Sequence, residues 1–248
     1  MQKADSVQYL HDTTTGIELI LSRNSTISYP LHNHISVFTI GLVLCGSIIV
    51  TNGNRSSVCT KDKPFIILPY MPHMIETENP YSLLTLCINK NISNKSKKNQ
   101  IQNNIRHLLA AVSDLEITEA QMGQLLYCLD LFNDNSHSYI PEPTIELIKS
   151  RIEHHPEKKL NIDEMARSAY ISKYHFIRSF KQAVGLTPHQ FQIQNRIRKA
   201  QHMLNDFDSI TEVALITGFC DQSHFIKQFE KHVGLTPTEY RTSCRQLT

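Results

Sequence analysis

The sequence predicts an α+β protein of two domains: an N-terminal β-barrel with a helical pair, then an all-α domain holding two helix-turn-helix units. Three observations predict it. Short apolar runs punctuated by turn residues fill residues 7–90, helical periodicity takes over from residue 101, and the C-terminal part states one pattern twice. Residues 160–192 read LNIDEMARSAYISKYHFIRSFKQAVGLTPHQFQ, and residues 208–241 read DSITEVALITGFCDQSHFIKQFEKHVGLTPTEYR. Ala166 matches Ala214, Phe176 matches Phe225, Phe180 matches Phe229, and Gly185-Leu186-Thr187-Pro188 matches Gly234-Leu235-Thr236-Pro237. The offset is 48 residues before the middle turn and 49 after it. Two copies are too few for a solenoid, which needs about three stacked repeats to bury a core. A duplicated, self-sufficient helical unit fits better.

Composition sets the frame. A chain of 248 residues, 40% hydrophobic and 19% charged, can hold two ordinary domains or one large one. The opening MQKADSVQYLHD lacks the apolar run of a signal peptide. The most apolar segment, Ile35 to Val50, is broken by Ser36, Thr39, Gly41, Gly46 and Ser47, as buried strands are. Cysteines 45, 59, 87, 128, 220 and 244 are scattered and form no C-x-x-C pair. That suits reduced thiols and a cytoplasmic protein. Net charge is only +2. Before residue 144 there are 10 Lys/Arg against 12 Asp/Glu, a balance of −2; from 144 onward 15 stand against 11, a balance of +4. The positive charge therefore lies on the repeat half.

In chain order, Val7–Leu10, Ile17–Leu21, Val37–Leu44, Ile48–Thr51, Phe65–Leu68 and Leu83–Ile88 read as strands. Thr15-Gly16, Asn33, Cys45-Gly46, Asn52-Gly53-Asn54 and Tyr70-Met71-Pro72 are turn signals, and Asn52-Gly53 suits a tight hairpin. This spacing suggests a small barrel or sandwich. Residues 89–104 are rich in Asn, Lys and Ser and read as a solvated loop leading into a helix. Over 101–132, Ile101, Ile105, Leu108, Leu109 and Val112, then Leu125, Leu126, Leu129 and Phe132, recur at helical spacing, with a turn near Ser113–Thr118. Such a pair packs on the barrel or forms a dimer seam. The polar 133–143 carries two prolines and reads as the interdomain connection. The expected division is 1–135, a linker at 136–143, and 144–248, the last helical to its end.

Each repeat carries start and stop signals. Asn161 with Glu164, and Ser209 with Glu212, have capping-box spacing. Ala166 and Ala214 let a second helix approach closely, and Ser172 and Asp221 suit its N-cap. That helix should bury Phe176, Phe180 and Val184 in copy one, and Phe225, Phe229 and Val233 in copy two, all at i, i+4, i+8. Gly185 and Gly234 supply C-caps. Thr187-Pro188 and Thr236-Pro237 then restart the chain as N-cap and N1, with Gln190 and Glu239 closing boxes. Leu186 with Phe191, and Leu235 with Tyr240, have staple spacing.

The opposite face is then fixed. Copy one presents Lys173, Tyr174, Ile177, Arg178 and Lys181; copy two presents Gln222, Ser223, His224, Lys227 and Lys231. Such side chains hydrogen-bond base edges, meet phosphates or touch a thymine methyl. Arg178 and Lys227 are natural readers of guanine. The bland alternative, a solvated face, does not explain two such faces in matching frames. A connecting helix of about 15 residues spans on the order of 22 Å, so the two units could reach major grooves about 34 Å apart. Arg196, Arg198 and Lys199 on that helix are candidate phosphate contacts.

With these residues in place, the region from about 145 to 245 resembles the DNA-binding domain of the AraC/XylS family of transcription regulators, most closely over ALITGFCDQSHFIKQFEKHVGLTPTEYR. The resemblance implies tandem modules that bind double-stranded promoter DNA and usually activate transcription, with RNA polymerase as partner. It puts Tyr174, Ile177 and Arg178, and Gln222, Ser223, His224 and Lys227, at base-contacting positions. Ile177 departs from the polar residue often found there, which leaves an apolar contact. Family members often carry a cupin-like barrel for small-molecule sensing or homodimerisation, and residues 7–90 look similar. No enzymatic activity and no cofactor are implied.

The matching N-terminal pieces are Pro30-Leu31-His32-Asn33-His34, Gly46 and Pro69-Tyr70-Met71-Pro72-His73. His32 and His34, two apart on a strand, would share one face. With His73 they have the makings of a three-histidine metal site. A metal-dependent cupin enzyme usually adds a Glu four residues after the second His, where this chain has Phe38. The expectation is therefore that His32, His34 and His73 line a ligand pocket without a metal.

Overall fold

The computed structural model describes residues 6–12, 15–34, 37–53, 55–89, 98–112, 115–134, 143–168 and 170–247. The linker expected at 136–143 lies, apart from Pro143, outside the described residues, as do Asn54 and the 90–97 part of the polar segment 89–104. The chain divides into one unit of Met1–His137 with Ser243–Thr248, and a second of Ser138–Thr242.

The apolar runs of the first unit form strands because alternate or continuous side chains reach a core. β1 (Ser6–Asp12), β2 (Ile17–Ser25), β4 (Val37–Cys45), β7 (Pro64–Ile67) and β9 (Tyr81–Asn89) join a sixth strand, β10 (Cys244–Leu247), in one sheet of order β10-β1-β2-β9-β4-β7. β3 (Tyr29–His32), β5 (Ser47–Asn52), β6 (Arg55–Thr60) and β8 (His73–Glu76) form a second sheet of order β3-β8-β5-β6. The small barrel or sandwich expected from sequence thus takes the form of two sheets. Residues of the two sheets, Val43, Ile48, Cys59, Ile75, Tyr81 and Leu83, share one core.

The larger core lies between the six-stranded sheet and two helices, α1 (Lys98–Ala110) and α2 (Glu119–Asp134). Leu19, Leu21, Phe38, Ile40, Leu84 and Leu86 on the sheet meet Ile105, Leu108 and Leu125 on the helices. The helical pair is therefore packed on the sheet, the first of the two roles expected for it. Gly46, at φ +76°, ends β4; a Cβ there would meet the Pro80 carbonyl oxygen at 2.6 Å. Asn52 pairs with Arg55 around Gly53, at φ +58°, so the expected hairpin forms.

The strands that sequence reading missed are short, and one of them is largely exposed. β6 exposes four of its six residues, and β3 and β8 have four residues each. The expectation of helix to the chain's end fails at β10, which pairs in parallel with β1, Tyr9 opposite Cys244. A strand at a sheet edge takes its place through backbone bonds, which the side-chain pattern does not announce.

The second unit is helical: α3 (Pro143–His154), α4 (Ile162–Ser168), α5 (Lys173–Val184), α6 (Pro188–Met203), α7 (Ile210–Ile216), α8 (Gln222–Val233) and α9 (Pro237–Ser243), whose last residue falls to the first unit. α3 buries Ile145, Ile148 and Ile152. No helix among the described residues is long and apolar enough to cross a membrane.

Candidate nucleic-acid interface

The repeat signals become two matching helical frames. In copy one, Asn161 caps α4 by accepting from the Glu164 amide at 3.1 Å. Ser172 caps α5 by accepting from His175, and Gly185 ends it at φ 85°. In copy two, Ser209 accepts from Glu212, Asp221 accepts from His224, and Gly234 ends α8 at φ 81°. Thr187 and Gln190 form the reciprocal box at α6. At α9 the Thr236 amide donates to the Glu239 carboxylate at 2.8 Å, and the Glu239 amide donates back to the Thr236 hydroxyl. The Thr236 hydroxyl also donates to that carboxylate, at 2.7 Å, and this bond, followed by the one from the Thr236 amide, holds the Glu239 carboxyl below its ordinary value.

The buried faces are those expected. Phe176, Phe180, Phe225 and Phe229 are all 0% exposed. Phe180 packs on Phe191 with ring centroids 5.8 Å apart, and Phe229 on Tyr240 at 5.5 Å. Burying one such ring stabilises a fold by about 1.5–3 kcal/mol, and this fixes the rotation of α5 and α8 about their axes.

The faces turned away carry the candidate readers. Lys173, Tyr174 and Arg178 on α5, and Gln222, Ser223, His224 and Lys227 on α8, are exposed; Ile177 is half-buried. Tyr174 is 85% exposed, unusual for a large aromatic with no partner to cover it. Two of these residues also brace their own module. Lys173 donates to Asp163 of α4 at 3.1 Å, and Gln222 accepts from Thr211 of α7 at 2.8 Å. These are equivalent positions under the 48/49 offset, so each second helix is tied to its first in the same way. Alignment by that offset also pairs His224 with His175 and Ile177 with Ile226; sequence reading passed over His175, which is exposed at the start of α5.

Arg196, expected at the phosphates, is turned inward. Its Nε donates to the Pro156 carbonyl at 2.7 Å, a terminal nitrogen reaches the Glu157 carbonyl, and the guanidinium lies over the Phe219 ring. Burial lowers its pKa. Lys199 is paired with the Glu157 carboxylate at 2.9 Å. Burial raises the pKa of that carboxyl, but the Lys199 hydrogen bond and its neighbours outweigh this and leave it lowered. A long cation on a linking helix looks the same in sequence whether it faces a phosphate or a carbonyl. Only the 155–158 turn beneath α6 decides.

His32, His34 and His73 do come together. His32 and His73 are register partners across β3 and β8. His34 lies beyond the end of β3, so the shared strand face expected for His32 and His34 is not what joins them. A turn does: the Tyr70 amide donates to the His34 carbonyl at 2.8 Å, with Tyr70 at φ 63°. Ring centroids are 4.1 Å apart for His32–His73, 4.8 Å for His34–His73 and 5.3 Å for His32–His34. Burial lowers the His73 pKa.

Residues 165–243 match the family model described as "Helix-turn-helix domain". A probable transcriptional regulator, LumQ of Photobacterium leiognathi, is 32% identical over 78 residues, 31% of this chain and 32% of that protein. The HTH-type transcriptional regulator MtrA of Neisseria gonorrhoeae is 43% identical over 65 residues, 26% of this chain and 22% of its own length. The aligned stretch thus spans about a third or less of these curated relatives. A solved structure of apo ToxT from Vibrio cholerae matches 94% of this chain and 99% of its own, with TM-score 0.61 at 13% identity. Another ToxT structure is described as bound to an unsaturated fatty acid, at TM-score 0.52 and 14% identity, covering 97% of each chain. These likenesses establish the two-part fold.

Proposed function

We propose that this chain, which belongs to the AraC family of transcription regulators through its C-terminal unit, is a one-component transcriptional activator. Residues from 144 onward bind promoter DNA, 136–143 link the parts, and 1–135 sense a small molecule or form a homodimer. The observation that carries the reading is the pair of exposed helix faces on α5 and α8, each held opposite a buried phenylalanine row in the same capped frame. Lys173, Tyr174, Ile177 and Arg178 read one stretch of major groove, and Gln222, Ser223, His224 and Lys227 read another. Arg178 and Lys227 donate to guanine, Tyr174 and Ile177 make apolar contacts, and Gln222 and His224 hydrogen-bond base edges. Arg196 steadies α6 rather than meeting phosphate. The protein acts by binding, without catalysis, in the cytoplasm, and RNA polymerase is its partner at the promoter.

One ToxT structure holds an unsaturated fatty acid, and such a fatty acid is the first small molecule to offer the N-terminal unit here.

Genome-wide mapping of DNA bound by the full chain tests the reading. It predicts discrete promoter sites, and duplexes carrying them should bind with an affinity that falls linearly in log–log salt plots. Binding that is absent, or equal for every duplex of the same length, would overturn it.

A further inference from the structure

We infer that His32, His34 and His73 form a binding site for one divalent transition-metal ion of the zinc class. The three imidazoles each offer a ligand nitrogen, and these nitrogens all lie within 4.8 Å of one another. They come from β3, from the segment just after it, and from β8. An ion there would fasten the edge strand β3 and the following turn to its neighbour.

The hydrogen bonds around the rings favour this use. The His32 Nδ1 lies 2.7 Å from the Pro30 carbonyl, and the His73 Nδ1 lies 3.0 Å from the Met71 carbonyl. A carbonyl only accepts, so each Nδ1 carries the proton and Nε2 is the basic nitrogen. A metal-bound histidine is oriented by the same kind of outer contact. The His34 Nδ1 meets the Thr39 hydroxyl. Most telling is His73: the residue is 0% exposed, and its Nε2 is buried without a hydrogen-bond partner. Buried polar atoms are almost always paired, because leaving one unpaired is costly. An ion held with His32 and His34 supplies the missing partner.

The donor set narrows the ion. Three imidazoles suit zinc, cobalt, nickel or copper and do not suit magnesium or calcium. A zinc ion about 2.0–2.1 Å from each nitrogen asks the rings to close by roughly 1–1.5 Å. Phe38, where a carboxylate ligand would be sought, is buried in the sheet core, so the remaining coordination positions go to water or a small anion.

Titration of the full chain with cobalt(II), followed by visible absorption and displaced by zinc(II), tests this. The expected result is one ion per chain, with melting temperature raised by zinc and restored by a chelator. His32→Ala and His34→Ala, both at partly exposed positions, should each weaken binding by more than the roughly 10–100-fold that loss of an outer contact costs. His73→Gln is a third variant, read only if its circular dichroism matches wild type. An absence of one-to-one binding at micromolar metal would overturn the site. So would binding unchanged by both alanine variants, which would put the ion on others of the 13 histidines. Duplex affinity of the same variants keeps this outcome separate from the DNA-binding reading.

Discussion

The two helix-turn-helix copies are one frame with two turns and two faces. They share the buried phenylalanines, the left-handed glycine caps and the threonine boxes. They also share a fastening. Gln192 donates to the Pro156 and Lys158 carbonyls ahead of copy one, and Arg241, 49 residues later, donates to the Leu204, Phe207 and Asp208 carbonyls ahead of copy two. They part at the turn. Copy one uses Tyr170 at φ 56°, almost fully exposed; copy two uses Gly218 at φ 91°, pressed against the Glu157 backbone. Backbone geometry therefore dictates what both copies keep, while exposure decides where they diverge.

The largest effect should be symmetric. Phe180→Ala and Phe229→Ala should each cost about 3–5 kcal/mol, measured by chemical denaturation of the full chain. A large loss in one copy and none in the other would break the shared frame.

The turn should behave asymmetrically. At Gly218 an added Cβ would meet the Glu157 Cα and carbonyl oxygen at 2.7 Å, and the left-handed conformation itself costs about 1–2 kcal/mol for other residues. Gly218→Ala should therefore cost more than about 2 kcal/mol. Tyr170→Gly removes the same conformational cost where nothing crowds the chain, and should leave stability within about 1 kcal/mol of wild type. Equal losses from the two variants would contradict the distinction.

Gln192→Ala strands two carbonyls and should cost about 1–3 kcal/mol, while Gln192→Glu should do no better, because a carboxylate cannot donate to them. The smallest effect is a pH slope. The folded-state pKa of Glu239 lies below its ordinary 4.5. Its contribution is therefore present above the unfolded value and disappears as pH falls through the folded one. The acid limb of a stability–pH curve should flatten in Glu239→Gln; an unchanged slope would mean that the box carries no pH-dependent stability.

Much of this was legible in the sequence. Capping signals, glycine stops and phenylalanine spacing named both helix pairs and the faces they expose. What was hidden has a physical pattern. β3, β6, β8 and β10 are short strands at or near sheet edges, held by backbone pairing rather than by a side-chain period. The inward turn of Arg196 depends on a distant carbonyl. The histidine cluster was legible as a set, but not how His34 joins it: His34 lies past the end of β3 and is held through the left-handed turn at Tyr70.

On the proposed function, the two copies read different sequences with the same frame. Copy one offers an aromatic and apolar face with one guanidinium; copy two offers a polar face with one ammonium. The most direct measurement is selection of bound duplexes from a random pool by wild type, Arg178→Ala and Lys227→Ala. The expected result is a non-palindromic site in which each variant loses preference, by about 1–3 kcal/mol, at its own base pairs, the two groups about one helical turn apart. Loss of preference at the same base pairs in both variants, or at none, would contradict it.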